Sequence, residues 1–307
     1  MIPTLTMLIG LPGSGKSTYA KRLSEITRAT ILSSDSLREE LFGNINDQNH
    51  NEEVFAELRK RCKENLLKLD DIIIDSTNIS QKKRIGLLNE LRNIDCQKTC
   101  VIIATPYKTC IQNNSQRERK VPEETIRQMR ASFHFPLYNE GFDEIKFAWH
   151  TGTDEFDFGE ILRKADNFDQ HNSHHSLTLG EHLRTTSALV SSECGHMFNV
   201  ALNVAAKLHD IGKLETQSFV DYKGRNSDEA HYYNHQYVSA YEAMFYLYDE
   251  LFNDEDILHI CTLIQYHMHP FIAWKDSEKA KRRDMVLLGQ EWFNEVMALH
   301  EADVAAR

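Results

Sequence analysis

The segment Gly10-Leu11-Pro12-Gly13-Ser14-Gly15-Lys16-Ser17-Thr18 constrains this chain more than any other stretch of its sequence. It follows an apolar, β-branched run at 4–9 and precedes a helical pattern at 19–26, so the order is strand, glycine loop, helix. That order is what G-x-x-x-x-G-K-[ST] requires. Glycines let successive backbone N–H groups curl round phosphate oxygens at a helix N-terminus, where the helix dipole favours negative charge. Gly13, Ser14, Gly15 and Thr18 would line such a cradle, Lys16 would neutralise the β- and γ-phosphates, and Ser17 would hold Mg²⁺. The motif implies an ATP site on a parallel α/β sheet with flanking helices.

A chain of 307 residues has room for a second domain. With 41% hydrophobic and 26% charged residues it is neither collagenous nor mostly disordered. Its apolar runs fall far short of the roughly 20 residues of a membrane span, and its start carries no basic, cleavable leader, so the expected location is the cytoplasm. Six cysteines without a C-x-x-C pair read as reduced thiols. A net charge of −11 argues against a protein that coats nucleic acid non-specifically, though a local basic patch could still grip one strand end. Only three of the 15 histidines, His50, His134 and His150, fall before residue 151, which suggests two chemistries in two halves. Polar, turn-rich stretches at 151–157 and 166–173 place a connection at 151–170, between domains at 1–150 and 171–307.

A kinase needs groups that hold and activate an acceptor hydroxyl, besides the phosphate cradle. A second strand-like run at 30–32 closes with Ser33-Ser34-Asp35, so Asp35 emerges at a strand's C-terminal end, where doubly wound sheets bind ligands. A carboxylate there can accept a hydroxyl proton, and Arg38 one turn on can hold an anionic acceptor. Taken singly, Asp35 reads rather as the N-cap of the next helix and Arg38 as a solvated charge. Asp75, ending the run 71–74, is placed to orient Mg²⁺ or to cap a turn. The segment 113–122 and the helix after it carry Arg117, Arg119, Arg127 and Arg130; a mobile lid could deliver Arg117 or Arg119 to the transferring phosphoryl group, and a solvated basic face is the plainer alternative.

The ordered set of the 10–18 loop, Ser34-Asp35 with Arg38, Asp75-Ser76-Thr77-Asn78, Asn114-Ser115-Gln116-Arg117 and Val121-Pro122-x-x-x-Ile126-x-x-Met129 resembles the phage-type polynucleotide 5′-kinase domain over residues 1–150. The resemblance implies that Lys16 and Ser17 bind ATP and Mg²⁺, Asp35 is general base on a 5′-hydroxyl, Arg38 binds the acceptor strand's phosphate and Arg117 contacts the donor phosphates. It extends to relatives that phosphorylate other hydroxyls, such as an aminoacylated transfer RNA or a small metabolite. Asn113 stands where a second lid arginine is expected.

Residues 171–307 read as all-helical, with apolar positions at helical spacing over 177–190, 198–208, 237–252, 256–266 and 285–305. His209-Asp210 ends an otherwise apolar segment, and desolvating an imidazole beside a carboxylate is costly unless a cation satisfies both. His182 and Asp303 complete a ligand set on the same logic. The pattern H…HD…D resembles the HD phosphohydrolase superfamily, which implies metal-assisted phosphoester hydrolysis with one or two divalent ions among Mn²⁺, Co²⁺, Ni²⁺, Fe²⁺, Zn²⁺ and Mg²⁺. The same resemblance makes His235 and His267 candidates for a second metal or the scissile phosphate. Lys213 reads as a phosphate contact or a solvated helix end, and His269 as a loop residue before Pro270. His171, His174 and His175 read as exposed connection residues, and the helix carrying Asp303 as short or frayed, because the chain stops four residues later.

Joined, the halves suggest a bifunctional end-healing enzyme that phosphorylates a 5′-hydroxyl and removes a 3′-phosphate or 2′,3′-cyclic phosphate from RNA or DNA, leaving ends that a ligase can join. The alternatives are a nucleoside or nucleotide kinase fused to an HD nucleotidase, and an ATP-gated HD regulatory protein.

Overall fold

The computed structural model describes residues 2–152, 154–172, 177–193 and 199–307, with the side chains of 192 and 193 left aside. The chain divides into two compact units, Met1–Met129 with Pro136–Gly152, and Arg130–Phe135 with Thr153–Arg307.

The first unit runs β1 (Thr4–Ile9), α1 (Lys16–Thr27), β2 (Thr30–Ser33), α2 (Ser34–Phe42), α3 (Asn51–Leu67), β3 (Ile72–Asp75), α4 (Gln81–Glu90), β4 (Gln97–Ala104), α5 (Tyr107–Gln116), α6 (Glu123–Arg130) and β5 (Glu144–Trp149), with α6 ending on the first residue of the other unit. Its five strands are all parallel, in the order β2-β3-β1-β4-β5. Helices cover both faces of such a sheet, which is why β1 and β3 read as continuous apolar runs rather than alternating ones. Leu8, Ala20, Ala29, Ile73, Val101 and Ile103 form a core between sheet and helices. Because the strands run parallel, the loops after β1, β2 and β3 open at the same sheet edge, and Ser33 and Asp75 are side by side in register there. Behind that edge, Arg84 and Glu140 form a fully buried ion pair at 2.8 Å, and Arg84 Nη1 also donates to the Asn78 carbonyl at 2.9 Å. This pair ties α4 to the turn Tyr138–Glu140 and steadies the chain that leaves β3.

The second unit contains α7 (Phe158–Asp166), α8 (Leu179–Glu193), α9 (Val200–Leu208), α10 (Lys213–Thr216), β6 (Gln217–Val220), β7 (Asn226–Tyr232), α11 (His235–Asp249), α12 (Asp254–Tyr266), a π-helical turn Pro270–Trp274 and α13 (Glu278–Ala305). Three expectations change here. The domain is not purely helical: β6 and β7 pair antiparallel round a turn in which the Asp221 side chain accepts the Lys223 and Arg225 N–H groups and Gly224 takes φ 79°. The stretch read as a connection contains α7, capped by Asp157 and burying Ile161 and Ala165. The last helix is neither short nor frayed; α13 bends at Gly289, where φ is 76°, and then runs on for about four turns, with Asp303 buried near its end. His174, His175 and Phe198 lie outside the described residues. Among the described residues no helix is long and apolar enough to cross a membrane.

Candidate active sites

In the glycine loop Gly13 and Gly15 have φ of 82° and 93°, a region side-chain-bearing residues avoid. At Gly13 the demand is also steric, since a Cβ would sit 2.2 Å from the Cys110 carbonyl oxygen. The loop is pinned from outside: Asn113 Nδ2 donates to the Gly13 carbonyl at 2.9 Å and Thr105 Oγ1 to that of Ser14 at 2.8 Å. Asn113, expected as a missing arginine, is therefore a loop anchor. Lys16 is buried and donates to the Leu11 carbonyl at 2.7 Å. Burial pushes its pKa down to about 8 against the pull of the Asp75 carboxylate, with the Arg117 charge adding to the depression. Triphosphate oxygens would supply the charge that this ammonium lacks.

The loop opens into a cavity of about 610 Å³ lined by Gly13, Lys16, Ser17, Asp75, Asp35 and Arg38 among others. Asp35 does not cap α2; Ser33 does, accepting the Ser36 N–H. Nor does Asp75 cap α4, whose N-cap is Ser80. Freed from capping, Asp35 pairs with Arg38 at 2.9 Å and with Arg119. Arg38 is buried, its Nη2 donates to Asn51 Oδ1 at 2.8 Å, and its Nε has no hydrogen-bond partner among the described residues. Arg117 and Arg119 both line the cavity, but Arg119, anchored on Asn46 Oδ1 at 3.2 Å, is the one that reaches Asp35. The other two arginines of the segment do not line it. Arg127 is exposed and pairs with Glu124, and Arg130, in the second unit, is held by Glu215 and Glu242 at 2.8 and 2.6 Å. Gln48, Asn51, Phe55 and Lys83 also face the cavity, and no motif in the sequence marks them.

In the second unit, α8, the ends of α9 and α12, the start of α11 and the last turns of α13 bring His182, His209-Asp210, His267, His235 and Asp303 together. One ligand atom from each of His182, His209, Asp210 and Asp303 lies within 4.8 Å of all the others, and Asp210, His235 and His267 form a second such group. His182 Nε2 is 3.1 Å from Asp303 Oδ1 and 3.2 Å from His209 Nε2; His235 Nε2 is 3.0 Å from Asp210 Oδ1. All six side chains are buried.

The ring nitrogens test whether a cation fits. In each imidazole Nδ1 faces a backbone carbonyl: Ala306 for His182, Ala206 for His209, Tyr232 for His235 and Ile264 for His267. Donation there assigns the proton to Nδ1 and turns four Nε2 lone pairs inward on the same two carboxylates. His235 Nε2, His267 Nε2 and Asp210 Oδ1 have no hydrogen-bond partner among the described residues. Converging lone pairs and buried carboxylates repel unless positive charge sits among them, so the donor set fits one or two divalent cations. Without one, the Asp210 and Asp303 carboxylates outweigh burial and hold His182 up to about 9, while burial pushes His209 down. Burial raises Asp210 and Asp303, but the Lys213 charge for the first and the hydrogen bond from His182 for the second hold both well below the usual carboxylate range.

Lys213 is not a solvated helix end: it is buried, 2.7 Å from Asp210 Oδ2, and donates to Gln170 Oε1 at 2.8 Å. His269 is no loop residue either, being buried with Nδ1 3.2 Å from Asp284 Oδ2. His171 stays exposed and outside the cluster. Gln170 and Tyr232, which orient Lys213 and His235, carry no sequence signal.

A family model described as an AAA domain matches residues 5–136. The N-terminal unit is a P-loop kinase-like domain. An L-seryl-tRNA(Sec) kinase from Methanococcus maripaludis is 26% identical over 216 residues, covering 69% of this chain and 82% of that protein. Among solved structures, this chain is similar to a putative kinase from Chloroflexus aurantiacus j-10-fl at 14% identity and a TM-score of 0.41, covering 53% of this chain and 97% of that one. A chain of the Pnkp1/Rnl/Hen1 RNA repair complex is 20% identical with a TM-score of 0.36, covering 42% of this chain and 43% of that one. The family match falls within the strands, loops and helices that build the kinase-like cavity.

Proposed function

We propose that the chain is a bifunctional nucleic-acid end-healing enzyme of the cytoplasm, acting most naturally on RNA. Its kinase-like unit would be an ATP-dependent polynucleotide 5′-hydroxyl kinase, and its second unit an HD-type 3′-phosphatase and 2′,3′-cyclic phosphate phosphohydrolase. The observation that carries the kinase half is Asp35, uncommitted to capping and held by Arg38 and Arg119 in the cavity that also contains Lys16 and Ser17. Asp35 would take the proton of the 5′-hydroxyl as its oxygen bonds to the γ-phosphorus of ATP; the bond from that phosphorus to the β–γ bridging oxygen breaks, and ADP leaves. Arg38 would bind the acceptor's phosphate, while Lys16, Arg117 and backbone N–H groups of the loop stabilise the charge on the donor phosphates. Mg²⁺, held through Ser17, would neutralise β- and γ-phosphate oxygens.

In the second unit His182, His209, Asp210 and Asp303 would hold one divalent ion, with His235 and His267 beside Asp210 available for a second or for the scissile phosphate. Such an ion supplies a lowered pKa for bound water and a polarised phosphoryl oxygen. Lys213 would act by fixing the Asp210 carboxylate, its ammonium being already engaged there and on Gln170. The products of the two reactions, a 5′-phosphate and a 3′-hydroxyl, are what a downstream ligase consumes.

The named activity of the Methanococcus relative favours a second reading, in which the acceptor hydroxyl is carried by a seryl group on transfer RNA. Transfer of labelled γ-phosphate from ATP to a 5′-hydroxyl oligonucleotide, to seryl-tRNA and to free nucleosides, with Lys16→Ala as blank, separates these readings. The proposal predicts strong preference for the oligonucleotide; preference for either other acceptor overturns it.

A further inference from the structure

Some clusters of basic side chains in this acidic chain are balanced where they stand. On α3, Arg59, Lys60 and Arg61 all pair with carboxylates of Glu90, Glu57 and Glu40. The stretch that follows His267 is different. Between Phe271 and Arg283 five basic residues, Lys275, Lys279, Lys281, Arg282 and Arg283, face only two acidic ones, Asp276 and Glu278. Among the described residues no ion pair engages Lys275, Lys279, Lys281 or Arg282, whereas Arg283 is taken by Asp284 at 2.7 Å. Lys275, Lys279 and Arg282 are exposed. Beside them Phe271 and Ile272 are 53% and 55% exposed, with the Lys275 ammonium 5.5 Å from the Phe271 ring centre.

Exposed apolar side chains on a mobile tip would mean little, but this turn is tied down. Asp284 is fully buried, accepts the Trp274 indole N–H at 2.9 Å and lies 3.2 Å from His269 Nδ1. His269 and Trp274 bracket Pro270–Trp274, so the network fixes the turn while Phe271 and Ile272 point outward. On α13, Lys279, Arg282 and Val286 follow at i, i+3 and i+7, and extend one face of cations and exposed apolar surface. The turn begins three residues after His267, whose Nε2 faces Asp210.

We infer that the turn Pro270–Trp274 and the first turns of α13 form a docking surface for single-stranded nucleic acid. A base stacks on Phe271, and the backbone phosphates run along Lys275, Lys279 and Arg282. This rests on the phosphohydrolase reading of the second unit and adds to it the surface that holds the strand whose 3′ end is processed. Charge complementarity selects the occupant, since a polyanion gains from these unpaired cations while the chain as a whole, at a net charge of −11, repels it.

The test is fluorescence anisotropy with a short, labelled single-stranded oligoribonucleotide carrying phosphate at both ends, in the absence of ATP, over a series of salt concentrations. Phe271→Ala is expected to weaken binding about fivefold or more. The triple variant Lys275→Ala, Lys279→Ala, Arg282→Ala is expected to lower the slope of log affinity against log salt by about 2. Unchanged affinity and slope in both variants overturn the inference. So does a wild-type chain that self-associates in sedimentation and becomes monomeric on Phe271→Ala with oligonucleotide affinity untouched, because the face then belongs to a second copy. Phosphate release by the wild type from p-nitrophenyl phosphate and from the same oligonucleotide is measured alongside. If neither substrate is hydrolysed while the variants still lose binding, the surface stands and the phosphohydrolase reading falls.

Discussion

Asp35 is the side chain whose replacement says most about the kinase-like cavity, because its carboxylate has two arginine partners and no duty at a helix end. Asp35→Asn keeps the size and loses the base. Phosphoryl transfer should fall about 10²- to 10⁴-fold while ATP affinity is retained, measured by steady-state transfer and by equilibrium binding; full turnover in this variant would remove Asp35 from the chemistry. In the second unit His182 is the corresponding residue. If four Nε2 atoms face a cation site, Mn²⁺ should raise the unfolding temperature of the wild type, by about 3 kcal/mol of stability at a hundredfold excess over its dissociation constant, and His182→Ala should lose most of that gain. The sequence singles out Asp35 by its place at a strand end together with Arg38, and His182 only through the H…HD…D pattern that the His209-Asp210 pair anchors. The choice between Arg117 and Arg119 was not: they differ by two positions in a charged run, and only the path of the chain after α5 decides which one meets Asp35. His269 was misread, and the two readings of Lys213 stayed open, for the same reason. Whether a lysine or histidine beside a helix end is solvated depends on distant partners, here Gln170 and Asp284.

At the scale of elements, stability rests on buried charge as well as apolar area. Breaking the Arg84–Glu140 pair by Arg84→Met leaves a buried carboxylate, and the unfolding transition of the first unit should lose about 3–5 kcal/mol in urea. A loss under about 1 kcal/mol would show that water reaches the pair. Asp284 makes a pH prediction. Burial raises its pKa, but the His269, Arg283 and Trp274 hydrogen bonds prevail and lower it to about 2. A carboxyl depressed in the folded state contributes stability above its unfolded value, and that contribution is lost as pH falls through the folded one. Wild type should therefore lose about 2 kcal/mol between roughly pH 4 and pH 2 that Asp284→Asn, already less stable at neutral pH, does not lose, as followed by thermal unfolding. Equal pH profiles would contradict the network. The parallel sheet was legible because buried parallel strands are continuous apolar runs bounded by loops. The β6–β7 hairpin was hidden, its signal being little more than Asp221 and Gly224 between polar strands, and α7 was masked by the turn-rich residues on either side.

At the scale of the whole molecule, the two proposed chemistries meet in one substrate. Lys16→Ala should abolish phosphoryl transfer and leave phosphate release intact, and His182→Ala should do the reverse; loss of both activities in either variant would contradict separate sites. The halves were separable in the sequence by their histidines, three against twelve. On the proposed function, the two reactions serve one strand. The direct measurement is mass spectrometry of a single oligoribonucleotide bearing a 5′-hydroxyl and a 3′-phosphate after incubation with the protein, ATP, Mg²⁺ and Mn²⁺. The expected product carries a 5′-phosphate and a 3′-hydroxyl. An oligonucleotide that emerges with both ends unchanged, while small acceptors or esters are turned over, would contradict the proposed function.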